Sequence, residues 1–199
     1  ESLIHALEAD EYAVSGGDVG HRYMLQALAR GNRPDLVHAM HHRTDKPGYG
    51  WQLERGKTSL TEAWDGGASQ NHFMLGHIVE WFYRHLVGIS PDPEEPGFAH
   101  IRIRPQFVEG LAWAEARYQS VRGPIHVRWD RENGSMTLAV EIPANTTATV
   151  RLPFPGEGRL REGDQPVSGG NGVHHVRRTG SFVEIRIGSG SYTFTTEEI

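Results

Sequence analysis

The 199-residue chain contains no cysteine, which excludes disulfides and thiolate metal sites. It has no apolar run long enough to cross a bilayer as a helix. It has no basic excess either. Lys and Arg number 20 against 25 Asp and Glu, and the net charge of -5 is spread without long runs. Nucleic acid and anionic membrane surfaces call for a basic patch, so neither is an expected partner. No internal repeat of useful length is present. Gly16-Gly17-Asp18-Val19-Gly20 lacks the following Lys-Ser/Thr and the preceding buried strand of a phosphate loop. A helix capped by Asp18 explains the same residues. His38 and His42 share a helical face, but the Glu that follows the first His of a zinc-protease helix is missing and a third ligand is not evident. No metal and no cofactor are expected. Freedom from cysteine is compatible with the cytoplasm, the compartment this reading expects, with secretion as the alternative. The first residue is Glu1 rather than Met, helical pattern begins at Ser2, and this reading expects no signal peptide. The expectation is a chain cut from something larger.

What is present divides into two halves of different period. Hydrophobic residues make up 37% and charged residues 23%, enough to bury a core. Residues 1–89 read as helical. Leu3, Ile4 and Leu7 share a face, and so do Val19, Tyr23 and Ala27, with Gly31 as a stop. A helix starting near Pro34 carries Leu36, Val37 and Met40. Thr44–Gly50 reads as a break, and a long helix is expected from about Asn71 to Leu86, with Met74, Ile78, Trp81, Phe82 and Leu86 as its buried stripe. The Pro- and acid-rich run SPDPEEPG, Ser90 to Gly97, is a linker or an ordered crossing loop. Beyond it the period is two. Leu111 and Trp113 alternate with alanines, and Ile125, Val127 and Trp129 with polar residues. Met136 to Ile142, Ala148 to Leu152, Val183 to Ile187, and Tyr192 with Phe194 continue the pattern. Glu132-Asn133-Gly134 is a hairpin turn. Residues 90–199 are therefore expected to form an antiparallel β-sandwich, with Trp113 and Trp129 lining its core.

The densest chemistry lies in TEAWDGGASQNHF, Thr61 to Phe73. Glu62 sits in a loop beside an indole and two glycines, where a carboxylate can face a cleft. On spacing alone a solvated loop acid is the plainer reading. Asp65 is assigned to the Gly66-Gly67 turn, a common use of Asp. His72 is either a packed histidine near a helix start or a substrate ligand, and the residue types leave both open. Ser69 or Asn71 is the expected helix cap. The 24 glycines and 5 tryptophans add a compositional hint of sugar binding.

Longer runs carry a family resemblance. GYGWQLERGKTSLTEAWD, SQNHFMLGHIVEWFYRHLVGI, PGFAHIRIRPQ and LAWAEARYQSVRGPIHVRWDRENGSMTLAVEIPANTTATVRLP together resemble bacterial α-L-rhamnosidases of glycoside hydrolase family 78. The likeness runs from about Gly16 to Pro153 in the family's order, and GGDVGHRYMLQALA upstream is similar too. The resemblance implies the C-terminal helices of an (α/α)6 barrel in residues 1–89, followed by a β-sandwich. It implies hydrolysis of terminal α-L-rhamnosides with inversion by two carboxylates. The family's general base falls on Glu62 and its sugar-contacting His on His72, and Trp64 keeps its indole. The family's general acid lies in an upstream acidic, arginine-bearing loop that this chain does not contain. Asp130-Arg131-Glu132 does not match it, and Ala63 stands where many members have Arg. The implied partners are a rhamnose-containing glycoside or oligosaccharide and the remaining N-terminal part of the enzyme. Two alternatives remain open: another inverting (α/α)6 glycosidase, or a non-catalytic carbohydrate-binding or scaffolding module.

Overall fold

The structure is a computed structural model that describes every residue except 1, 133, 155–158 and 198–199, and every described side chain except those of Met74 and Glu197. Asn133 of the expected hairpin turn and the side chain of Met74 thus lie outside the described residues. The chain divides into two compact units, 1–82 and 83–199.

The first unit is helical. It contains α1 (Ser2–Ala9), α2 (Asp18–Arg30), α3 (Pro34–His42), α4 (Tyr49–Glu54) and α5 (His77–Trp81). Pro34 starts α3, where a missing N–H costs nothing, and Leu36, Val37 and Met40 form its buried side. The buried residues of α2 are His21, Leu25, Leu28 and Ala29, spaced as one helical stripe. The expected Val19–Tyr23–Ala27 face points outward, with Val19 69% and Tyr23 65% exposed. The misreading has a physical source: His21 belongs to the apolar stripe, and counting it as polar shifts the face. Asp18 does not cap α2. Gly17 holds the cap position without a side-chain bond, and Asp18 is already the first helical residue.

The break expected at Thr44–Gly50 ends early, because α4 begins at Tyr49 with Gly50 inside it. A Cβ at Gly50 would sit 2.5 Å from the Arg43 carbonyl oxygen and 2.8 Å from that of His42. Glycine is what lets the two backbones meet there. The long helix expected from Asn71 is also corrected. It is a 3₁₀ turn at Phe73–Gly76, then α5, then a wide turn of π type at Phe82–Leu86. Gly76 stands at the junction of the first two, where glycine's poor helix propensity allows the change. Ile78, Trp81 and Leu86 are buried as expected, but Phe82 is 43% exposed.

The second unit is built from two sheets. One has the order β1 (Ile89–Pro91), β2 (His100–Ile103), β6 (Thr147–Pro153), β10 (Phe182–Ile187), β9 (Val173–Thr179). The other runs β3 (Trp113–Ser120), β4 (Gly123–Glu132), β5 (Ser135–Ile142), β11 (Gly190–Glu197), β7 (Arg159–Glu162), β8 (Gln165–Pro166). All pairings are antiparallel except β2 with β6. The proline-rich segment is ordered at its start, since Ser90 and Pro91 pair with Arg102 and Ile101.

Every other residue of the central strands is buried, as period two requires. Ile125, Val127, Trp129, Leu138, Val150, Leu152, Val183, Ile185 and Phe194 have no exposed surface. Trp129 also donates its indole N–H to the Leu86 carbonyl at 2.8 Å. Trp113 does not join this interior. Its register partner is Asp130, whereas Ala114 stands opposite Trp129. Residues directly opposite share a face, so Ala114 goes inward and Trp113 outward. Trp113 is 56% exposed, with the Arg128 guanidinium 4.9 Å above its ring.

Candidate functional site

The segment from Leu60 to His72 is a loop closed on itself. The Glu62 amide donates to the Ser69 carbonyl at 2.9 Å, and the His72 amide to that of Leu60 at 2.9 Å. These two bonds bring Glu62 and His72 together although they lie ten positions apart. The tip is a tight turn. The Gly66 amide bonds the Ala63 carbonyl, Gly66 has φ +74°, and the Asp65 carboxylate accepts from the Gly67 amide at 2.9 Å. Asp65 therefore does structural work, as its position beside two glycines suggested.

Several side chains hold this loop in place. Thr61 is fully buried and donates to the Ala63 carbonyl at 2.8 Å. Gln52 of α4, 5% exposed, donates its amide to the carbonyls of Trp64 at 2.9 Å and Ala63 at 3.3 Å. Lys57 reaches the Gly66 carbonyl at 3.1 Å. A shallow hollow of about 290 Å³ opens beside the loop, lined by Tyr49, Gln52, Lys57 and Leu60 among others. Glu62 is not part of its wall.

Three ionisable side chains meet at the open end of the loop. Glu62 is 44% exposed, and its Oε2 accepts from the Ser69 amide at 3.2 Å. His72 Nδ1 lies 3.9 Å from that oxygen. His72 Nε2 is shielded from solvent and lies 3.3 Å from Asp18 Oδ2, an ionic contact off the axis of a good hydrogen bond. The His72 ring stacks on Phe73 with planes 11° apart. His72 occupies the cap position before the 3₁₀ turn with extended backbone (φ -120°, ψ 110°), not the first turn of a helix. Neither Ser69 nor Asn71 provides a side-chain cap.

Trp64 packs among a different set of side chains. Its indole N–H is committed to the Gly16 carbonyl at 2.8 Å. Its ring meets His21 and Tyr49 edge-on, with centroids at 4.9 and 5.0 Å. Behind it, His41 stacks on Tyr49 and His21 approaches His41 with Nε2 atoms 2.9 Å apart. The protonation of this pair follows from its partners. His41 Nδ1 lies 2.6 Å from the Val37 carbonyl, an acceptor only, so Nδ1 carries the hydrogen. His41 Nε2 is then the acceptor and His21 Nε2 the donor. Burial, reinforced by His41 and His77, pushes the His21 pKa down to about 3. Burial also pushes that of His41 down to about 4, against the pull of the Val37 carbonyl. Both rings are neutral packing groups near pH 7. Burial likewise raises the Tyr49 phenol, whose hydroxyl is tied to the Leu75 carbonyl.

Among the described residues, no group of three His, Cys, Asp or Glu side chains is placed to hold a metal ion. His38 and His42 do share a face, with rings stacked at 5.0 Å. Two features escaped the sequence: the approach of Asp18 to His72 and the buried His21–His41 pair. Both join residues at least 20 positions apart. An acid at the start of a helix reads first as a cap, and only folding shows what it faces.

Comparison with known proteins places the chain in context. Residues 1–86 match the bacterial alpha-L-rhamnosidase 6 hairpin glycosidase domain, and residues 88–165 match the bacterial alpha-L-rhamnosidase C-terminal domain. An alpha-L-rhamnosidase of Streptomyces avermitilis is 29% identical over 98% of this chain and 19% of its own length. The structure of that organism's alpha-L-rhamnosidase complexed with L-rhamnose is similar, with a TM-score of 0.83 and 28% identity over 96% of this chain and 19% of that one. The alpha-L-rhamnosidase from Dictyoglumus thermophilum gives a TM-score of 0.85 and 27% identity over 96% of this chain and 22% of that one. The chain thus spans about a fifth of the length of these relatives.

Proposed function

Since the chain belongs to the bacterial α-L-rhamnosidase family, we propose that it is the C-terminal portion of a glycoside hydrolase that releases terminal α-L-rhamnose with inversion. In this reading residues 1–89 supply the last helices of an (α/α)6 barrel and residues 90–199 a β-sandwich that carries no chemistry. The substrate is a rhamnose-containing glycoside or oligosaccharide, as the L-rhamnose bound to a similar enzyme suggests.

Glu62 is the general base. It takes a proton from water as the water oxygen attacks the anomeric carbon, while an acid on an upstream segment protonates the leaving oxygen. An inverting pair stands roughly 6.5–9.5 Å apart to admit that water. The observation that carries the reading is the state of Glu62: solvent-accessible and held by the Ser69 amide in a loop closed by backbone bonds. A base must be fixed yet reach water, and a carboxylate in a rigid loop mouth meets both needs. His72 contributes a sugar contact through Nδ1, since Nε2 faces Asp18. With its N–H spent on Gly16, Trp64 offers a sugar only ring surface.

The test is Glu62→Gln in the enzyme produced from its complete coding sequence, assayed on an aryl α-L-rhamnoside. Loss of the base lowers kcat by about 10²–10⁴-fold. NMR of the first-formed sugar shows the β anomer if the wild-type reaction inverts. A variant turning over at nearly the wild-type rate would remove Glu62 from the role. Faster wild-type cleavage of aryl fucosides or glucosides than of rhamnosides would redirect the substrate assignment.

A further inference from the structure

We propose that the second unit carries a binding site for a neutral sugar residue, in a hollow that shares no residue with the Glu62 loop. The hollow holds about 570 Å³ and is lined by residues of the β4–β5 hairpin, the end of β6 and the segment before β3. Ligand sites commonly span about 300–1,000 Å³. The floor is apolar: Met136 and Phe154 are buried, and Phe107 and Leu111 half-buried. The rim is charged. Glu109, Arg131 and Glu132 are exposed around it, with half-buried Ser135 beside them. Arg131 is held from two sides. Its amide donates to the Ala112 carbonyl at 2.7 Å, and its guanidinium lies 5.8 Å above the Phe107 ring. Phe107 in turn meets Trp129 edge-on, with centroids at 5.0 Å.

Farther along β3 and β4, charges are spent on one another. Glu115 meets His126 at 2.8 Å and Arg128 at 3.1 Å, and Arg128 also holds Asp130. The Glu109, Arg131 and Glu132 side chains have no hydrogen bond or ion pair among the described residues. Their chemistry decides what fills the space. Carboxylates only accept hydrogen bonds and a guanidinium only donates them. A phosphate or carboxylate ligand also only accepts, and would face two carboxylates against one guanidinium. An ammonium group only donates, and would meet the like charge of Arg131. A hydrocarbon would strip water from all three groups and return nothing. A neutral sugar ring meets every demand. Each hydroxyl both donates and accepts, and the C–H side of the ring suits the apolar floor. Two neighbouring hydroxyls can accept from the two arms of the Arg131 guanidinium while donating to Glu109 or Glu132.

The experiment measures binding to the enzyme produced from its complete coding sequence, by isothermal titration calorimetry. The probes are cellobiose, maltose and β-1,4-galactobiose, which are neutral and contain no rhamnose, with digalacturonate as the anionic counterpart. Saturable binding of at least one neutral disaccharide is expected. Arg131→Ala and Glu132→Ala should each weaken it about 3- to 10-fold, the loss of a hydrogen bond to a charged or polar partner. Both side chains are exposed, so the thermal midpoint of each variant should stay near that of the wild type. Glu62→Gln, in the catalytic loop, and Arg117→Ala, on β3 away from the hollow, should leave binding within about twofold. No saturable binding of any neutral disaccharide overturns the site. Binding that survives both Arg131→Ala and Glu132→Ala unchanged overturns it, and so does binding that Glu62→Gln abolishes, because the sugar then sits elsewhere. Tighter binding of digalacturonate than of the neutral sugars overturns the ligand class. None of these outcomes touches Glu62 as the base, which the kcat of Glu62→Gln decides separately.

Discussion

Replacing Gln52 by Leu isolates what holds the reactive loop in shape. The side chain is 5% exposed and donates to two loop carbonyls, Trp64 at 2.9 Å and Ala63 at 3.3 Å. The two acceptors do not depend on it equally. Ala63 keeps the Thr61 hydroxyl and the Gly66 amide, whereas among the described residues the Trp64 carbonyl accepts from Gln52 alone. Leucine is close to glutamine in size, so the change removes polarity more than volume. An abandoned buried carbonyl costs about 1–3 kcal/mol. If that cost falls on the folded loop, its opening becomes roughly 5- to 150-fold more frequent. The reporters are the amides of Glu62, Gly66 and His72, which bond the carbonyls of Ser69, Ala63 and Leu60. Hydrogen exchange read by mass spectrometry on peptides covering residues 60–73 should accelerate by that factor, with peptides of α3 unchanged. Catalysis should fall through kcat, since Glu62 spends less time in place. Exchange of the 60–73 peptides within about twofold of wild type would refute the clamp, because even the smallest expected cost exceeds that.

Two further outcomes follow from the buried groups. Trp129→Phe removes the donor to the Leu86 carbonyl and leaves part of a fully buried site empty; it should cost the second unit about 2–4 kcal/mol, read as a lower urea midpoint with an unchanged slope. The second outcome concerns pH. His21 and His41 have folded pKa values of about 3 and about 4, below the ordinary 6.5. Between those values the unfolded chain binds more protons than the folded one, so stability is full above pH 6.5 and falls as the pH drops toward 4. Urea titrations of the first unit's transition from pH 7 to 4.5 should show this slope, and His21→Phe should flatten it.

The second unit was legible because its strands obey a strict period. Once Ile125, Val127 and Trp129 are assigned inward, β5, β6, β10 and β11 repeat the alternation, and all these residues are buried. The failure at Trp113 shows the limit of that reasoning. Alternation within one strand fixes which residues share a face but not which face turns inward. Register against a neighbour decides that, and opposite Trp129 the chain places Ala114. The helical unit was less legible for a related reason. Size and polarity were used to rank faces, and His21 breaks the ranking, because a neutral imidazole with a partner at 2.9 Å can be buried like an apolar group.

The candidate site divides in the same way between local and non-local information. Asp65 and the Gly66-Gly67 turn are contiguous, and their bond could be read from the chain. The meeting of Glu62 with His72 depends on two backbone bonds that close the loop between them. Asp18 adds a third carboxylate or imidazole group from a helix 44 residues before Glu62 in the numbering, and no periodicity connects them. Its absence from the cap position is the physical clue. A short polar side chain at a helix start that does not bond its own backbone is free to face another element. Here it faces an imidazole whose other nitrogen points at the acid assigned as base.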